Sequence, residues 1–351
     1  RLHGMGESLF ELLRKQHGGR CRIYAPVGVH EDLLAYLVRR LLENGANSSF
    51  VNQVLDESVA PAVLVGDPVT VAEGLTAIAN PHIPLPADLF GSARKNSRGW
   101  NLADPVELAR LQESRDAFKD KTWNAAPLIG GVAQSGPSHN VRNPANPGDV
   151  VGTVCETTPE QVEDALQRAL GAVENWRSTN VEERAACLMR IADLYEEHAV
   201  ELMALAAREA GKTLADCVGE LREAVDFCRY YAAQIFSAEE ERQGRGVFVC
   251  ISPWNFPLAI FTGQIVAALV SGNAVIAKPA EQTPLIATRA VALMHQAGIP
   301  GDVLHLLPGD GPGVGGPLSA DPRIAGVCFT GSTDTARLIN TAMATKGNPH
   351  A

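Results

Sequence analysis

The sequence has few aromatic residues, a deficit of positive charge and no long apolar run. Of its 351 residues 5% are aromatic, and 30 lysines and arginines face 40 aspartates and glutamates, for a formal net charge of −10. A surface of this sign repels nucleic acid and anionic membranes, so neither is expected as a partner of this chain. No uninterrupted apolar stretch of about 18 residues occurs, so no membrane-spanning helix is predicted.

The cysteines form none of the usual paired patterns. There are 7, an odd number, they are scattered along the chain, and no C-x-x-C motif occurs. Neither a disulfide framework nor a metal site is expected, and a reducing cytoplasm is the predicted location. The N-terminus has no signal-peptide core and no initiator methionine, so we expect a piece of a longer protein, whose association with membranes stays open.

The second half of the sequence is rich in strand–helix alternation. Four apolar runs each lead into a predicted helix: "GVFVCIS", "NAVIAKP", "DVLHLLPG" and "IAGVCFTG". Continuous apolar strands joined by helices predict an α/β fold with a doubly wound parallel sheet that is covered on both faces. Ligands of such sheets bind beyond the carboxyl ends of the strands, so the residues after each strand are the candidate site.

Composition divides the chain into three predicted domains. Residues 1–55 contain a strand, "CRIYAPVG", a helix, "HEDLLAYLVRRLLENG", and a short element, "SSFVNQVL". Residues 56–125 are rich in Pro, Gly, Asn and Ser and are predicted as a linker with short helices at 69–79 and 104–123. Residues 126–351 are predicted to form a β-hairpin that turns at 147–149, helices at 158–176, 180–211 and 213–236, and then the sheet.

The first strand of this predicted sheet ends in "SPWNFP", where Asn255 stands between Pro253 and Pro257. A side-chain amide held rigidly at a strand end can stabilise an oxyanion that develops on a carbonyl. Such a donor contributes about 3–4 kcal/mol in acyl-transfer sites. An Asx turn is the alternative explanation of Asn255.

The other strand ends also carry polar or glycine-rich residues. Lys278 and Glu281 follow the second strand and can hydrogen-bond ribose hydroxyls, although alone they are better explained as a solvated pair beside a helix. The loop "PGDGPGVGG" after the third strand allows close backbone approach to an anion, or is an ordinary loop. After the fourth strand, Gly331 permits a tight turn, and Ser332 can cap the helix or bind a phosphate. Their occurrence in series favours a ligand site.

These residues carry a resemblance to a known family. The stretch "ISPWNFPLAIFTGQIVAALVSGNAVIAKPAEQTP", followed by "FTGST", resembles the aldehyde dehydrogenase superfamily from about Asn143 onward. The resemblance implies that Asn255 is the oxyanion-hole amide and that Lys278 and Glu281 hold the adenosine ribose of NAD. It implies further cofactor contacts from Ser252, Trp254, Gly311, Gly315, Gly331 and Ser332. Of these, Gly311 and Gly315 line the adenine side, Ser332 meets the pyrophosphate, and Trp254 lies near the passage for cofactor and substrate.

The chain also departs from that family. The family's Cys nucleophile and Glu base follow the "FTGST" helix, and this chain stops at Ala351 before either is expected. Cys250 and Cys328 do not replace the nucleophile, because both lie in apolar strand runs where a thiol is usually inert. The chain alone is therefore not expected to oxidise an aldehyde.

The N-terminal helix places Tyr36, Arg39, Arg40 and Glu43 on one face, at spacings of three, four and seven. Adjacent arginines suit a small carboxylate, although the pattern alone favours a solvated face. The motif Y-x-x-R-R-x-x-E-N resembles the last helix of the flavin-dependent proline dehydrogenase barrel. This implies that Arg39 and Arg40 bind the proline carboxylate, with the site completed by Leu2, Tyr24, Tyr36 and Glu43.

The two resemblances in this order are those of the bifunctional proline utilization A family. They imply the C-terminal end of a (βα)₈ barrel, a linker and an aldehyde-dehydrogenase-like NAD-binding region. The family oxidises proline to pyrroline-5-carboxylate with FAD and glutamate semialdehyde to glutamate with NAD, and a homo-oligomer is expected for the parent protein. A second hypothesis is a non-catalytic NAD-binding or interaction module, because the nucleophile and base are absent from the chain.

Overall fold

The structure is a computed structural model that describes residues 3, 6–45, 53, 56–76, 79–80, 82–237, 243–346 and 348, without the side chains of residues 40, 41 and 43–45. The chain forms two compact units, Arg1–Ile83 and Pro84–Ala351. The division falls inside the segment 56–125, so the residues of that segment from Pro84 onward belong to the second unit. The domain boundaries at 55 and 125 stay predictions.

The first unit consists mainly of helices. Those with described bounds are α1 (Glu7–His17), α2 (His30–Gly45), α3 (Pro61–Leu64) and α4 (Pro68–Glu73). Helix α2 confirms the predicted helix. The acidic side chains of Glu31 and Asp32 in its first turn interact favourably with the positive end of the helix dipole and so stabilise the helix. The predicted helix over 69–79 is shorter than expected, because the chain leaves the helix at Gly74.

The predicted strand "CRIYAPVG" is wrong. Among its described residues, this stretch has one β-bridge residue, Tyr24, whose carbonyl accepts the His3 N–H at 2.9 Å. A strand needs a neighbouring strand for its backbone hydrogen bonds, and the described part of this unit offers none. The predicted element at 48–55 lies mostly outside the described residues.

The second unit contains the strands and the long helices. Its described strands are β1 (Trp123–Ala125), β2 (Leu128–Ile129), β3 (Val132–Ala133), β4 (Ser138–Asn143), β5 (Asn146–Cys155), β6 (Val247–Ile251), β7 (Ala274–Lys278), β8 (Leu304–Leu306) and β9 (Ile324–Phe329). Its described helices are α5 (Pro105–Asp116), α6 (Pro159–Ser178), α7 (Val181–Glu197), α8 (Ala199–Ala210), α9 (Leu214–Gln234), α10 (Ala259–Val270), α11 (Pro284–Gln296), α12 (Gly316–Ser319) and α13 (Thr333–Thr345).

A small sheet with the order β1-β5-β4 contains the predicted hairpin. Strands β4 and β5 pair antiparallel, but the chain turns at residues 144–145 and not at the predicted 147–149. The Asn143 side-chain oxygen accepts the Ala145 N–H at 2.9 Å, so an Asx turn closes the hairpin before the Pro-Gly-Asp sequence is reached.

The predicted helix over 180–211 is two helices, α7 and α8, which meet at His198 with φ −93° and ψ 18°. No proline or glycine marks this break in the sequence. Both helices pack against α9 and α11, but α7 also packs against α10, and α8 against α5 and the hairpin strands. Tertiary packing therefore determines the change of direction, which helix propensity does not reveal.

The large sheet has the order β3-β2-β8-β7-β6-β9. Its strands β8, β7, β6 and β9 run parallel, which confirms the predicted doubly wound sheet, and β2 adds to β8 in the antiparallel sense. Every residue of β7 is buried, so both faces of the sheet are covered. The chain moves from β6 to β7 and β8 on one side, and β9 lies on the other side of β6. The order of the strands thus reverses between β6 and β9, where open α/β sheets have a crevice.

Helix α12, the predicted helix after the third parallel strand, has only 4 residues. A π-helical turn, Gly311–Gly315, precedes it, and the Asp310 side chain accepts the Gly313 N–H at 2.6 Å. The glycine-rich loop is consequently a defined turn rather than an open strand-to-helix connection.

All 7 cysteines are free thiols. Within the described ranges, no helix is long and apolar enough to cross a lipid bilayer. The same residues include no cluster of three or more His, Cys, Asp or Glu side chains that could hold a metal ion.

Two buried carboxylates cap the helices that connect the sheet strands. Glu220 of α9 accepts the backbone N–H groups of residues 258–259 at 2.9 and 3.0 Å, at the start of α10. Glu209, on α8, accepts those of residues 285–286 at 2.6 and 2.9 Å, at the start of α11. The first N–H groups of a helix lack partners within it, so each carboxylate satisfies them and complements the helix dipole.

We expect Glu209→Gln to lower the free energy of unfolding by about 1–3 kcal/mol. An amide has one accepting oxygen, so one of the two buried N–H groups loses its acceptor and faces an NH₂ group instead. Urea unfolding measures the change, with Glu113→Gln on the exposed face of α5 as the matched control. Equal stability of the two variants would contradict the capping role.

Candidate functional site

A cleft of about 870 Å³ lies at the carboxyl ends of β6, β7 and β9, where the strand order reverses. Its lining contains every residue of this unit that the sequence predicts as part of the site. These residues are Ser252, Trp254, Asn255, Lys278, Glu281, Gly311, Gly315, Gly331 and Ser332. Four separate loops of the sequence therefore meet at one place in the fold.

Lys278 ends β7 and is 3% exposed. Its Nζ donates to the Pro279 carbonyl at 3.0 Å and to the Glu281 carboxylate at 3.2 Å. Burial lowers the pKa of Lys278, and the nearby Glu281 carboxylate acts in the opposite direction. An ammonium beside a half-exposed carboxylate offers a donor and an acceptor together, which suits a pair of vicinal hydroxyls.

The glycine-rich turn forms one wall of the cleft. A Cβ on Gly315 would lie 3.5 Å from Lys278 Cδ, so the backbone passes directly over the lysine stem, whereas no atom surrounds a Cβ on Gly311 within 4 Å. Gly311, Gly313 and Gly316 have the G-x-G-x-x-G spacing, but their turn follows β8 and not the first strand of the sheet. Glycines at 311 and 315 permit a flat group to approach the backbone of this wall, so the residues present fit a dinucleotide.

Helix α13 begins at the cleft. The Ser332 Oγ accepts the Thr335 N–H at 3.1 Å, which confirms that it caps the helix, and both residues line the cleft. A Cβ on Gly331 would lie 2.5 Å from Phe329 Cζ, so this position requires glycine for packing alone. The start of a 13-residue helix attracts anions, which suits a phosphate.

The turn after β6 places Trp254, Asn255 and Phe256 at the cleft, and all three are exposed. The Asn255 backbone carbonyl accepts a hydrogen bond from Lys212 Nζ at 2.7 Å. Lys212 also forms an ion pair with Glu220 at 2.5 Å. Sequence reasoning missed both Lys212 and Glu220, because no spacing signal connects them to the turn.

Gln264 of α10 is a third residue that sequence reasoning missed. With its amide oxygen toward β9, it accepts the Thr330 N–H at 3.2 Å and donates to the Ile251 carbonyl at 3.3 Å. The side chain therefore joins the ends of β6 and β9, beside residues 251 and 330 that line the cleft. A lone glutamine within an apolar helix is the only sequence signal, and it is weak.

Cys250 and Cys328 are register partners on β6 and β9, and the lining of the cleft includes neither. The neighbouring Cys328 thiol and burial both raise the pKa of Cys250. A thiol that stays protonated is a poor nucleophile, so Cys250 behaves as a core residue.

The structure describes three of the six side chains predicted for a proline site in the first unit. Tyr24 lies at the β-bridge and is 62% exposed. Tyr36 and Arg39 lie one turn apart on α2, where Arg39 lines a shallow groove. Leu2 and the side chains of Arg40 and Glu43 lie outside the described residues.

Two family models match the chain. The model of the aldehyde dehydrogenase family matches residues 132–351, and the model of proline dehydrogenase matches residues 1–53. The two matches do not overlap, and the first contains every residue of the cleft.

Curated relatives align with both segments at once. The bifunctional protein PutA of Escherichia coli (strain K12) is 50% identical over 358 residues, which cover 98% of this chain and 27% of that protein. PutA of Rhizobium meliloti is 49% identical over 353 residues, which cover 99% of this chain and 28% of that protein. A 1-pyrroline-5-carboxylate dehydrogenase of Anoxybacillus flavithermus is 41% identical over 206 residues, with 55% of this chain and 40% of that protein covered. The chain thus spans about a quarter of the length of the PutA relatives.

Solved structures agree with these matches. A mutant PutA of Bradyrhizobium japonicum superposes with a TM-score of 0.81 at 46% identity, covering 100% of this chain and 34% of that one. PutA of Bdellovibrio bacteriovorus inactivated by N-propargylglycine gives a TM-score of 0.82 at 33% identity, and the match covers 97% of this chain and 36% of that one. The aldehyde dehydrogenase model matches more than half of the residues of this chain, and the chain therefore belongs to the aldehyde dehydrogenase family.

Proposed function

We propose that the protein containing this chain oxidises proline to pyrroline-5-carboxylate with FAD and glutamate semialdehyde to glutamate with NAD. The observation that carries the proposal is the convergence of nine predicted residues on one cleft at the switch point of the sheet. The collinear 50% identity to a bifunctional PutA supports the two-activity assignment over a non-catalytic binding module.

In this proposal the cleft of the second unit binds NAD, which accepts a hydride when bound. Lys278 and Glu281 hydrogen-bond the adenosine ribose, and Ser332 binds the pyrophosphate at the start of α13. The remaining contacts come from Ser252, Trp254, Gly311, Gly315 and Gly331.

The Asn255 side chain donates to the carbonyl oxygen of the aldehyde as negative charge develops on it. A fixed donor of this kind stabilises the transition state by about 3–4 kcal/mol. The resemblance places the Cys nucleophile and the Glu base outside this chain, so the activity is proposed for the intact protein.

The proline site is proposed for the first unit. Arg39 and Arg40 bind the proline carboxylate, because a guanidinium pairs bidentately with a carboxylate. Tyr24, Tyr36, Glu43 and Leu2 complete the site. FAD supplies the oxidant for this half, and the resemblance places most of its contacts in parts of the barrel that this chain does not contain.

We also propose a cytoplasmic homo-oligomer. The free thiols suit a reducing compartment. Residues 127–155, which include the β4–β5 hairpin, resemble the oligomerisation hairpin of the family.

The direct test of the function supplies the intact protein with proline and NAD. We expect NADH to form, because the product of the flavin half becomes the substrate of the NAD half. Reduction of an artificial electron acceptor by proline without NADH formation would contradict the two-activity proposal.

For the cofactor site, we expect Lys278→Ala in the intact protein to raise the Kd for NAD about 10- to 100-fold. The change removes a hydrogen bond from a charged donor, which contributes about 1.5–3 kcal/mol. Fluorescence titration measures the Kd, and proline oxidation with an artificial acceptor stays unchanged. Lys119→Ala, at an exposed lysine, is the matched control. An equal loss of both activities would show that Lys278 is misassigned.

For the proline site, we expect Arg39→Met to raise the KM for proline about 10- to 100-fold, since one charge-assisted pair is lost. Oxidation of added semialdehyde should not change. Steady-state kinetics of both reactions measure this, with Arg110→Met on α5 as the control at an exposed arginine. A fall in semialdehyde oxidation would refute the assignment of Arg39 to a separate site.

A further inference from the structure

An ion pair outside the turn that carries Asn255 contacts this turn. Lys212 lies in the short loop between α8 and α9, 43 residues before Asn255, and its Nζ donates to the Asn255 carbonyl at 2.7 Å. Glu220, two turns into α9, pairs with the same Nζ at 2.5 Å. The side chains of Lys212 and Glu220 are 11% and 1% exposed, so the pair is shielded from water.

The ion pair holds both ends of this turn. Glu220 Oε1 accepts the N–H groups of residues 258–259, where α10 begins. Lys212 Nζ forms an ion pair with the other carboxylate oxygen, without the geometry of a hydrogen bond, and it donates to the carbonyl of Asn255. A buried carboxylate is stable only when it is fully paired, so loss of either contact disturbs the other.

Lys212 is itself restrained. Its Nζ lies 4.4 Å from the centre of the Phe256 ring, a distance at which an ammonium and an aromatic face attract. The loop that carries it is short, because Gly211 ends α8 in the left-handed conformation and Thr213 caps α9 through the Asp216 N–H at 3.2 Å. Lys212 therefore approaches the turn from a fixed point.

A restrained carbonyl restrains the side chain of the same residue. The carbonyl carbon and Cβ of Asn255 are both bonded to its Cα with fixed angles, so holding the peptide plane limits the directions that the amide can take. Displacement of a reacting group by about 1 Å can lower a rate about 100-fold.

We infer that the Lys212–Glu220 pair is a positioning device that fixes the direction of the Asn255 amide. The inference rests on the proposed function, because it concerns the amide that stabilises the oxyanion. It assigns to Lys212 no contact with substrate or cofactor: Lys212 acts only through the backbone of the turn.

A double-mutant cycle in the intact protein tests the inference. We expect Lys212→Met to lower kcat for semialdehyde oxidation about 10- to 100-fold and to leave the Kd for NAD within twofold. Asn255→Ala should lower kcat by a similar or larger factor. The double variant should be no slower than Asn255→Ala, because Lys212 has no effect once its amide is gone. Lys119→Met is the matched control and should have the parent kcat.

The outcomes separate the inference from the proposed function. If the two losses multiply in the double variant, Lys212 acts independently of Asn255 and the inference fails, while the proposed function stands. If Asn255→Ala leaves kcat unchanged, the proposed oxyanion role fails first.

A variant that retains the charge distinguishes a loss of positioning from misfolding of Lys212→Met. Lys212→Arg keeps the charge but not the position of the donor, since the planar guanidinium is longer than the ammonium. We expect it to lower kcat without changing the thermal midpoint. A normal kcat for Lys212→Arg and a multiplicative cycle would each overturn the inference.

Discussion

The cleft depends on the position of β6 in the parallel sheet. The chain leaves β6 through α10 toward β7, and β9 pairs with β6 on the opposite side. Connecting segments that lead in opposite directions leave the carboxyl ends of β6 and β9 open between them. Every residue that we assign to the cofactor lies at or beyond the carboxyl end of one of the parallel strands, and this one topological feature makes distant loops neighbours.

Three long helices begin near the ends of these strands, and their N-termini are not equivalent. Glu220 occupies the first N–H groups of α10, and Glu209 occupies those of α11. Helix α13 begins at the cleft with the hydroxyl of Ser332 as its cap. Side-chain carboxyl oxygens already accept the first N–H groups of α10 and α11, so α13 is the one of the three that is best suited to a phosphate.

The residues that could be predicted are those whose role is local in sequence. Lys278, Glu281 and Ser332 each follow an apolar strand directly, so the strand pattern alone places them at the edge of the sheet. Lys212 and Glu220 could not be found in this way, because their contact with the Asn255 turn exists only after α9 has packed beside α10. The sequence therefore predicts the groups at the site but not the support that orients them.

The fold shows the same division. The parallel strands and most helices follow from periodicity and caps, and Thr158 with Gln161 forms the capping box at the start of α6. The break at His198 escapes such reasoning because only α7 packs against α10 and only α8 packs against α5 and the hairpin strands. The hairpin turns earlier than its sequence predicts, because the Asx turn of Asn143 precedes the Pro-Gly-Asp sequence, which is the stronger turn signal.

The central claim is that the cleft beyond β6, β7 and β9 is the NAD site. A crystal structure of the intact protein with NAD tests it most directly. We expect the adenosine ribose to lie within hydrogen-bond distance of Lys278 and Glu281, and the pyrophosphate beside Ser332. NAD bound elsewhere, with this cleft empty at saturating concentration, would contradict it.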